Sequence, residues 1–236
     1  MIYPIYPVSG HLSTSGFEMD FTGERVVPGK TPYGIYLEHI NRYIFASRFV
    51  RNKAVLDVAC GTGYGSNHMR EKGAKRVTGV DISMDAINYA KSNFGKEVNF
   101  VCADAIELPF ADNCFDIIVS FETIEHIRRY ERFLLECRRI LKRGGLLICS
   151  SPNKRVFSPE TENPLNPFHV KEFYPEEFFK LLDECFADIN LYGQCDVNLV
   201  KKTVEKSYRI HKFKDSRVKT SAYMIAVAKN EKGILM

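Results

Sequence analysis

The run Asp57-Val58-Ala59-Cys60-Gly61-Thr62-Gly63-Tyr64-Gly65 decides the fold. It follows the apolar stretch Ala54-Val55-Leu56, and the next apolar stretch, Val77-Thr78-Gly79-Val80, ends on Asp81. The order is strand, glycine turn, helix, strand, acid, which opens an α/β sheet built to hold an adenosine-containing cofactor. Glycine lets the backbone approach a ligand closely and take dihedrals that a side chain forbids. A carboxylate after the second strand can accept hydrogen bonds from both ribose hydroxyls.

The turn discriminates between cofactors. A dinucleotide site wants G-x-G-x-x-G, with the third glycine packing helix against strand. Here Gly61 and Gly63 are followed by Ser66, and Gly65 sits one place early. Asp57, at the strand end, would repel a pyrophosphate and suits a ligand carrying an amino group and a sulfonium. The bland alternative is a tight strand-to-helix turn with no ligand.

Working outward, the same rhythm continues. Val77 to Ser83 reads as a strand ending in an acid, with Ser83 placed to cap the next helix. Val98 to Ala105 is a third strand carrying Asp104 at its end; Phe115 to Ser120 is a fourth and runs into Phe121-Glu122; Leu146 to Ser150 is a fifth; Tyr223 to Ala228 is the last. Short continuous apolar runs suit parallel strands buried on both faces. Phe133, Leu134, Cys137, Ile140 and Leu141 share a helical face, with Lys142 and Arg143 closing that helix and Gly144 as its expected cap. Pro175-Glu176-Glu177 opens another helix, whose apolar face is Phe178, Leu181, Leu182 and Cys185.

The glycine run resembles motif I of the class I S-adenosylmethionine (SAM)-dependent methyltransferases, D/E-x-G-x-G-x-G, with Ala59 in place of the first glycine. The resemblance covers roughly residues 50 to 192 in order. It implies a doubly wound, seven-stranded, mostly parallel α/β sheet of Rossmann-like type. It also implies the cofactor residues: Asp57, Ala59, Gly61 and Gly63 around the methionine part, Asp81 and Ile82 at the ribose, Asp104 and Ala105 at the adenine, and Phe121 with Glu122 on the far wall. The blocks Thr22-Gly23-Glu24-Arg25, Glu38-His39-x-x-Arg42-Tyr43, Phe121 to His126 and Asn166 to Glu172 look like a bacterial subgroup of these enzymes acting on sugars, glycans or glycosylated metabolites.

Composition agrees with a globular chain: 236 residues, 45% hydrophobic, 26% charged and net charge +4. We expect a cap over residues 1–49 and a cofactor-binding domain over 50–236, with a proline-rich lid at 151–174. No stretch approaches the ~20 apolar residues of a membrane span, and the N-terminus lacks the pattern of a secretory signal. Seven cysteines without a C-x-x-C pair read as buried thiols of a reducing, cytoplasmic compartment. A basic stretch from Lys201 to Lys219 could meet phosphate, on a nucleotide-sugar or on nucleic acid. A solvated connection between strands is the preferred reading there, and nucleic acid is not the expected partner. Nothing in the chain sets the oligomeric state.

The expected partner is a small acceptor, most simply a sugar hydroxyl, which must lose a proton as the methyl arrives. His126 and His169 are the candidate bases, His39 is a weaker third, and Glu122 lies beside them. Glu122, Glu125 and His126 stand three and four apart, which would gather them on one helical face. The block E-x-x-E-H is similar to the metal-binding block of small-RNA 2'-O-methyltransferases, where a downstream histidine, here His169, completes the site. That resemblance implies Mg2+, Mn2+ or Zn2+ at Glu122, Glu125, His126 and His169, beside the metal-free alternative. A quinone or aromatic O-methyltransferase and a non-catalytic SAM-binding protein also stay open.

Overall fold

A computed structural model describes residues 19–23, 25–194, 210–212 and 220–231. Helix α1 (Tyr33–Ala46) precedes the sheet. Strand β1 (Ala54–Val58) passes through the glycine turn into α2 (Tyr64–Glu71), and β2 (Arg76–Asp81) into α3 (Met84–Phe94). Then come β3 (Asn99–Cys102), β4 (Phe115–Ser120), a single 3-10 turn (Ile124–His126), α4 (Tyr130–Ile140) and β5 (Leu141–Pro152). The short α5 (Lys154–Phe157), α6 (Pro175–Cys185), β6 (Ala187–Gln194), β7 (Ile210–Lys212) and β8 (Tyr223–Lys229) complete the described chain.

The strands form one sheet in the order β3-β2-β1-β4-β5-β8-β6-β7. The pairs among β1 to β5 are parallel; β8 runs antiparallel to both β5 and β6. Seven of these strands are the mostly parallel sheet the sequence implies, and the short β7 extends its edge antiparallel to β6. The chain starts mid-sheet, winds out to β3 and returns to β4. That reversal between β1 and β4 is where ligands bind in open α/β sheets.

Alternation along the strands feeds two cores. Leu56, Val58, Ile118, Leu147 and Cys149 pack toward Phe133, Leu134, Phe178 and Leu182 of α4 and α6. Val55, Ile117, Val119 and Ile148 pack on the other side, with Tyr43, Met69, Ile87 and Ala90 of α1, α2 and α3. Period-two side chains covered by helices on both faces make the fold doubly wound. Ser83 Oγ accepts from Ala86 N–H at 3.3 Å and caps α3. Pro175 opens α6, where the Glu177 carboxylate accepts from Tyr174 N–H at 3.0 Å.

Two local expectations are corrected. Helix α4 stops at Ile140, and Leu141 is already extended and paired with Phe115. Gly144, at φ +77°, lies inside β5 and does not cap the helix. Its place is taken by Asn230, whose side-chain amide donates to the carbonyls of Arg138 (3.1 Å), Leu141 (2.9 Å) and Lys142 (3.3 Å). The block Glu122 to His126 is likewise not one helical face. Glu122 sits at φ +49°, before the single turn at Ile124–His126. The residues from Lys201 to Lys219 lie outside the described ones except 210–212, as does Glu24.

Candidate active site

A cavity of about 700 Å3 opens beyond the C-terminal ends of β1, β2 and β4. Of the expected cofactor residues, Ala59, Gly61, Asp81, Ile82, Asp104, Ala105 and Phe121 line it. The turn earns its small residues: Ala59 and Gly61 have φ of +59° and +54°. Asp81 is held by two backbone donors, Gly61 N–H to Oδ2 at 2.9 Å and Ser83 N–H to Oδ1 at 2.9 Å. Its carboxylate is thereby fixed, with lone pairs left over for a ligand. Asp104 is exposed and accepts from Ile106 N–H at 3.1 Å. Ile82 offers an open apolar wall, 70% exposed.

Asp57 and Gly63 do not line the cavity; they sit behind it. Asp57 is fully buried and accepts from Ser66 Oγ (2.5 Å) and Tyr43 Oη (3.3 Å). Burial pushes its carboxyl up to about 7, against the pull of these two hydrogen bonds. Gly63 is the N-cap of α2 at φ +82°, where a Cβ would meet Phe100 at 2.7 Å and Ala90 at 2.8 Å. Gly65 lies against the ring of Tyr43, leaving no space for a Cβ. Tyr43 in turn stacks edge-on against Tyr64 and Phe121, at 5.5 and 5.1 Å between centroids. So Ser66 and Gly65, departures from a dinucleotide pattern, serve Asp57 and Tyr43.

The other end of the cavity is polar. Ser150 Oγ donates to Glu122 Oε1 at 2.5 Å and accepts from Glu122 N–H at 3.0 Å, which fixes the strained backbone there. Glu125 is fully buried and lines the cavity, and neither of its carboxylate oxygens has a hydrogen-bond partner among the described residues. Burial raises its carboxyl well above the ordinary range, and the nearby Glu122 adds to the rise. Arg42 is the opposing charge: wholly buried, it donates to Gln194 Oε1 at 2.8 Å and stacks on the Tyr223 ring at 4.6 Å. His39 lines the cavity and is held well below its ordinary pKa by burial, then by Arg42. Glu38 and Arg42 belong to the block Glu38-His39-x-x-Arg42-Tyr43, whereas Tyr223, which lines the cavity and stacks on Arg42, lies in no motif and is brought here by the fold.

The segment that follows β5 is clasped to the 3-10 turn. Val170 and Lys171 N–H both donate to the Glu125 carbonyl (2.7 and 3.1 Å), and His126 Nδ1 donates to the Phe168 carbonyl at 3.0 Å. His169 Nδ1 donates to Glu172 Oε1 at 2.7 Å, and its Nε2 accepts from Asn166 Nδ2 at 3.0 Å. Ser158 Oγ donates to the second Glu172 oxygen. The two histidine rings meet edge-on at 4.9 Å. Glu125, His126 and His169 can each turn one ligand atom to within 4.8 Å of the others. Glu122 falls outside that group. The unpartnered Glu125 oxygens fit a cation; His169, engaged at both nitrogens, would have to release one.

Comparison with known proteins adds a family signal. Residues 56–149 match the family model described as a methyltransferase domain. A probable S-adenosylmethionine-dependent methyltransferase of Mycobacterium tuberculosis (strain ATCC 25618 / H37Rv) is 34% identical over 178 residues, 74% of this chain and 64% of the relative. A fatty-acid O-methyltransferase of Mycolicibacterium smegmatis is 33% identical over 146 residues, 57% of this chain and 53% of that protein. The chain thus spans less than two thirds of the length of these curated relatives. A solved structure described as a SAM-dependent methyltransferase, possible histamine N-methyltransferase, from Thermotoga maritima superposes with a TM-score of 0.66. It covers 84% of this chain and 93% of its own, at 18% identity, which is a likeness of fold. Among the described residues, no helix is long and apolar enough to cross a membrane.

Proposed function

We propose that this chain is a SAM-dependent methyltransferase acting on a hydroxyl of a small polar acceptor, such as a sugar, nucleotide-sugar or glycosylated metabolite. One observation carries it: a single cavity joins Asp81 and the glycine turn to the polar chamber of Glu38, Glu122, Glu125 and Tyr223. The methyltransferase-domain match over residues 56–149 supports the cofactor half.

When bound, SAM supplies the methyl carbon and its own thioether leaving group. The residues that would hold it are Asp81 at the ribose, Asp104 and Ala105 at the adenine, Ile82 and Phe121 as walls, and Ala59 and Gly61 beneath the methionine part. Asp57 acts from behind, by fixing Tyr43 and the start of α2. The chamber orients the acceptor, which by itself supplies a large part of the rate of such a displacement. The acceptor hydroxyl must give up its proton. His126, which lines the cavity and is oriented by its Nδ1 bond to the Phe168 carbonyl, is the base this reading assigns to that proton. Glu122 would bind the hydroxyl, and His169 would hold the lid closed over it through Glu172.

The bare Glu125 oxygens favour a second reading, in which a divalent cation at Glu125, His126 and His169 lowers the pKa of the acceptor hydroxyl. Calorimetric titration with S-adenosylhomocysteine and with NAD, each with and without Mn2+, separates these readings. S-adenosylhomocysteine should bind and NAD should not; the reverse would end the methyltransferase reading. A separate Mn2+ heat that disappears in Glu125→Gln would select the metal-assisted form.

A further inference from the structure

S-adenosylmethionine carries a carboxylate as well as positive charge. The cofactor end of the cavity is acidic, through Asp81 and Asp104. A carboxylate entering beside the glycine turn therefore needs a cation. Among the described lining residues the arginines are Arg25, Arg128 and Arg129, and the last two follow the 3-10 turn at the acceptor end.

Arg25 lies across the glycine turn: a Cβ at Gly61 would stand 3.3 Å from its Cγ. Its Nη2 is 3.6 Å from Asp81 Oδ1. That exceeds the ~2.7–2.9 Å of a charge-assisted hydrogen bond, so the pair is electrostatic and its geometry loose. The side chain remains 34% exposed. The strap beneath it is fixed independently. Val26 and Val27 are buried, Thr62 Oγ1 donates to the Val26 carbonyl at 2.8 Å, and Val27 N–H donates to Thr31 Oγ1 at 2.7 Å. A strap anchored by these bonds thus presents one partly exposed guanidinium over the turn, beside the carboxylate that ribose would claim.

We propose that Arg25 is the residue that binds the cofactor's carboxylate, and that its contact with Asp81 is a resting position exchanged on binding. Ribose hydroxyls take over Asp81, and the released guanidinium pairs with the carboxylate of the amino-acid half, a geometry that its planar fork matches. The inference rests on the SAM reading proposed above and adds a residue to it.

The test compares two ligands that share the adenosine and thioether but differ in the amino-acid half: S-adenosylhomocysteine and 5'-methylthioadenosine. Their affinities are measured calorimetrically for the full chain and for Arg25→Ala and Arg25→Lys. Arg25→Ala should weaken S-adenosylhomocysteine by roughly ten- to a hundredfold, the range of one hydrogen-bonded charge pair. It should leave 5'-methylthioadenosine unchanged or tighter, because Asp81 is freed. Arg25→Lys should retain part of the S-adenosylhomocysteine affinity. Equal losses for both ligands, in either variant, would mean that Arg25 serves only the strap or the ribose, and would overturn the proposal. No loss for either ligand would overturn it too. If the unsubstituted chain binds NAD and not S-adenosylhomocysteine, the cofactor reading fails first, and this inference with it.

Discussion

Replacing Asp57 by asparagine should stabilise the unliganded protein while weakening its hold on S-adenosylhomocysteine. Asp57 is fully buried, and burial raises its carboxyl from 3.8 to about 7. Each unit is worth about 1.4 kcal/mol, so keeping this group ionised at pH 8 costs the fold on the order of 4 kcal/mol relative to its protonated form. The sign follows from proton counting. Between 3.8 and about 7 the folded protein binds more protons here than the unfolded chain does. Asp57's contribution is therefore fully present below 3.8, declines as pH rises, and is gone above about 7. Asparagine is nearly isosteric and does not titrate, and the hydroxyls of Ser66 and Tyr43 can turn to accept from its amide. The assay is urea denaturation of both proteins at pH 5, 6, 7 and 8. The stability of the variant relative to the parent should climb by up to about 1.4 kcal/mol per pH unit and level off above 7. Taking the difference cancels every other titrating group. A difference that is flat with pH, or that falls, would refute the claim that this carboxyl is desolvated and strained upward. Weaker S-adenosylhomocysteine binding in the variant would show what the acid is kept for, a trade of stability for function.

Asp81→Ala removes the acceptor of Gly61 and Ser83 N–H together with the ribose partner, so S-adenosylhomocysteine affinity should fall at least roughly tenfold by calorimetry; unchanged affinity would mean the cofactor lies elsewhere. Gly65→Ala should destabilise by about 1–3 kcal/mol in denaturant melts, because its Cβ meets the Tyr43 ring and this outweighs the ~0.5–1 kcal/mol of improved helix propensity. A neutral or stabilising result would show that Tyr43 is free to move. His169→Ala should leave S-adenosylhomocysteine binding intact, lower turnover, and speed proteolysis within the lid at 151–174, since the Glu172 and Asn166 bonds are lost. Wild-type turnover and lid protection would remove His169 from the mechanism.

The parts of the fold that the sequence makes legible are those set by local pattern. Strand β4 is Phe115–Ser120 as read, and β1 ends where the glycine turn begins, because continuous apolar runs have no alternative in a sheet covered on both faces. The α4–β5 boundary is not local. Gly144 looks like a helix cap, but the carbonyls it would serve are taken by Asn230, some 90 residues later. Glu122 fails to join a helix for the same kind of reason: Ser150, 28 residues on, holds both its N–H and its carboxylate. In the site, the motif names the turn but not which way its side chains face. Ala59, Gly61 and Asp81 face the cavity, while Asp57 and Gly63 face the packing of α1 and β3.

The two raised carboxyls mark different roles, and their partners tell them apart. Asp57 is desolvated yet satisfied, bonded to Ser66 and Tyr43. Its cost is offset by geometry: it ties α1 to the first turn of α2 and so positions the wall of Tyr43 and Phe121 behind the cofactor end. Glu125 is desolvated and, among the described residues, unsatisfied at both oxygens, although its own backbone carbonyl accepts from Val170 and Lys171 N–H. A buried carboxylate without partners costs far more than one with them. Arg42 lowers that cost through charge alone, with no hydrogen bond to Glu125 among the described residues. On the reading proposed above, the group that completes the site would bring hydrogen-bond donors or positive charge to Glu125. A polyhydroxyl acceptor and a divalent cation both meet that requirement, and a purely apolar acceptor does not. That requirement is the reason we propose a sugar-like acceptor or a metal-assisted hydroxyl for this chamber.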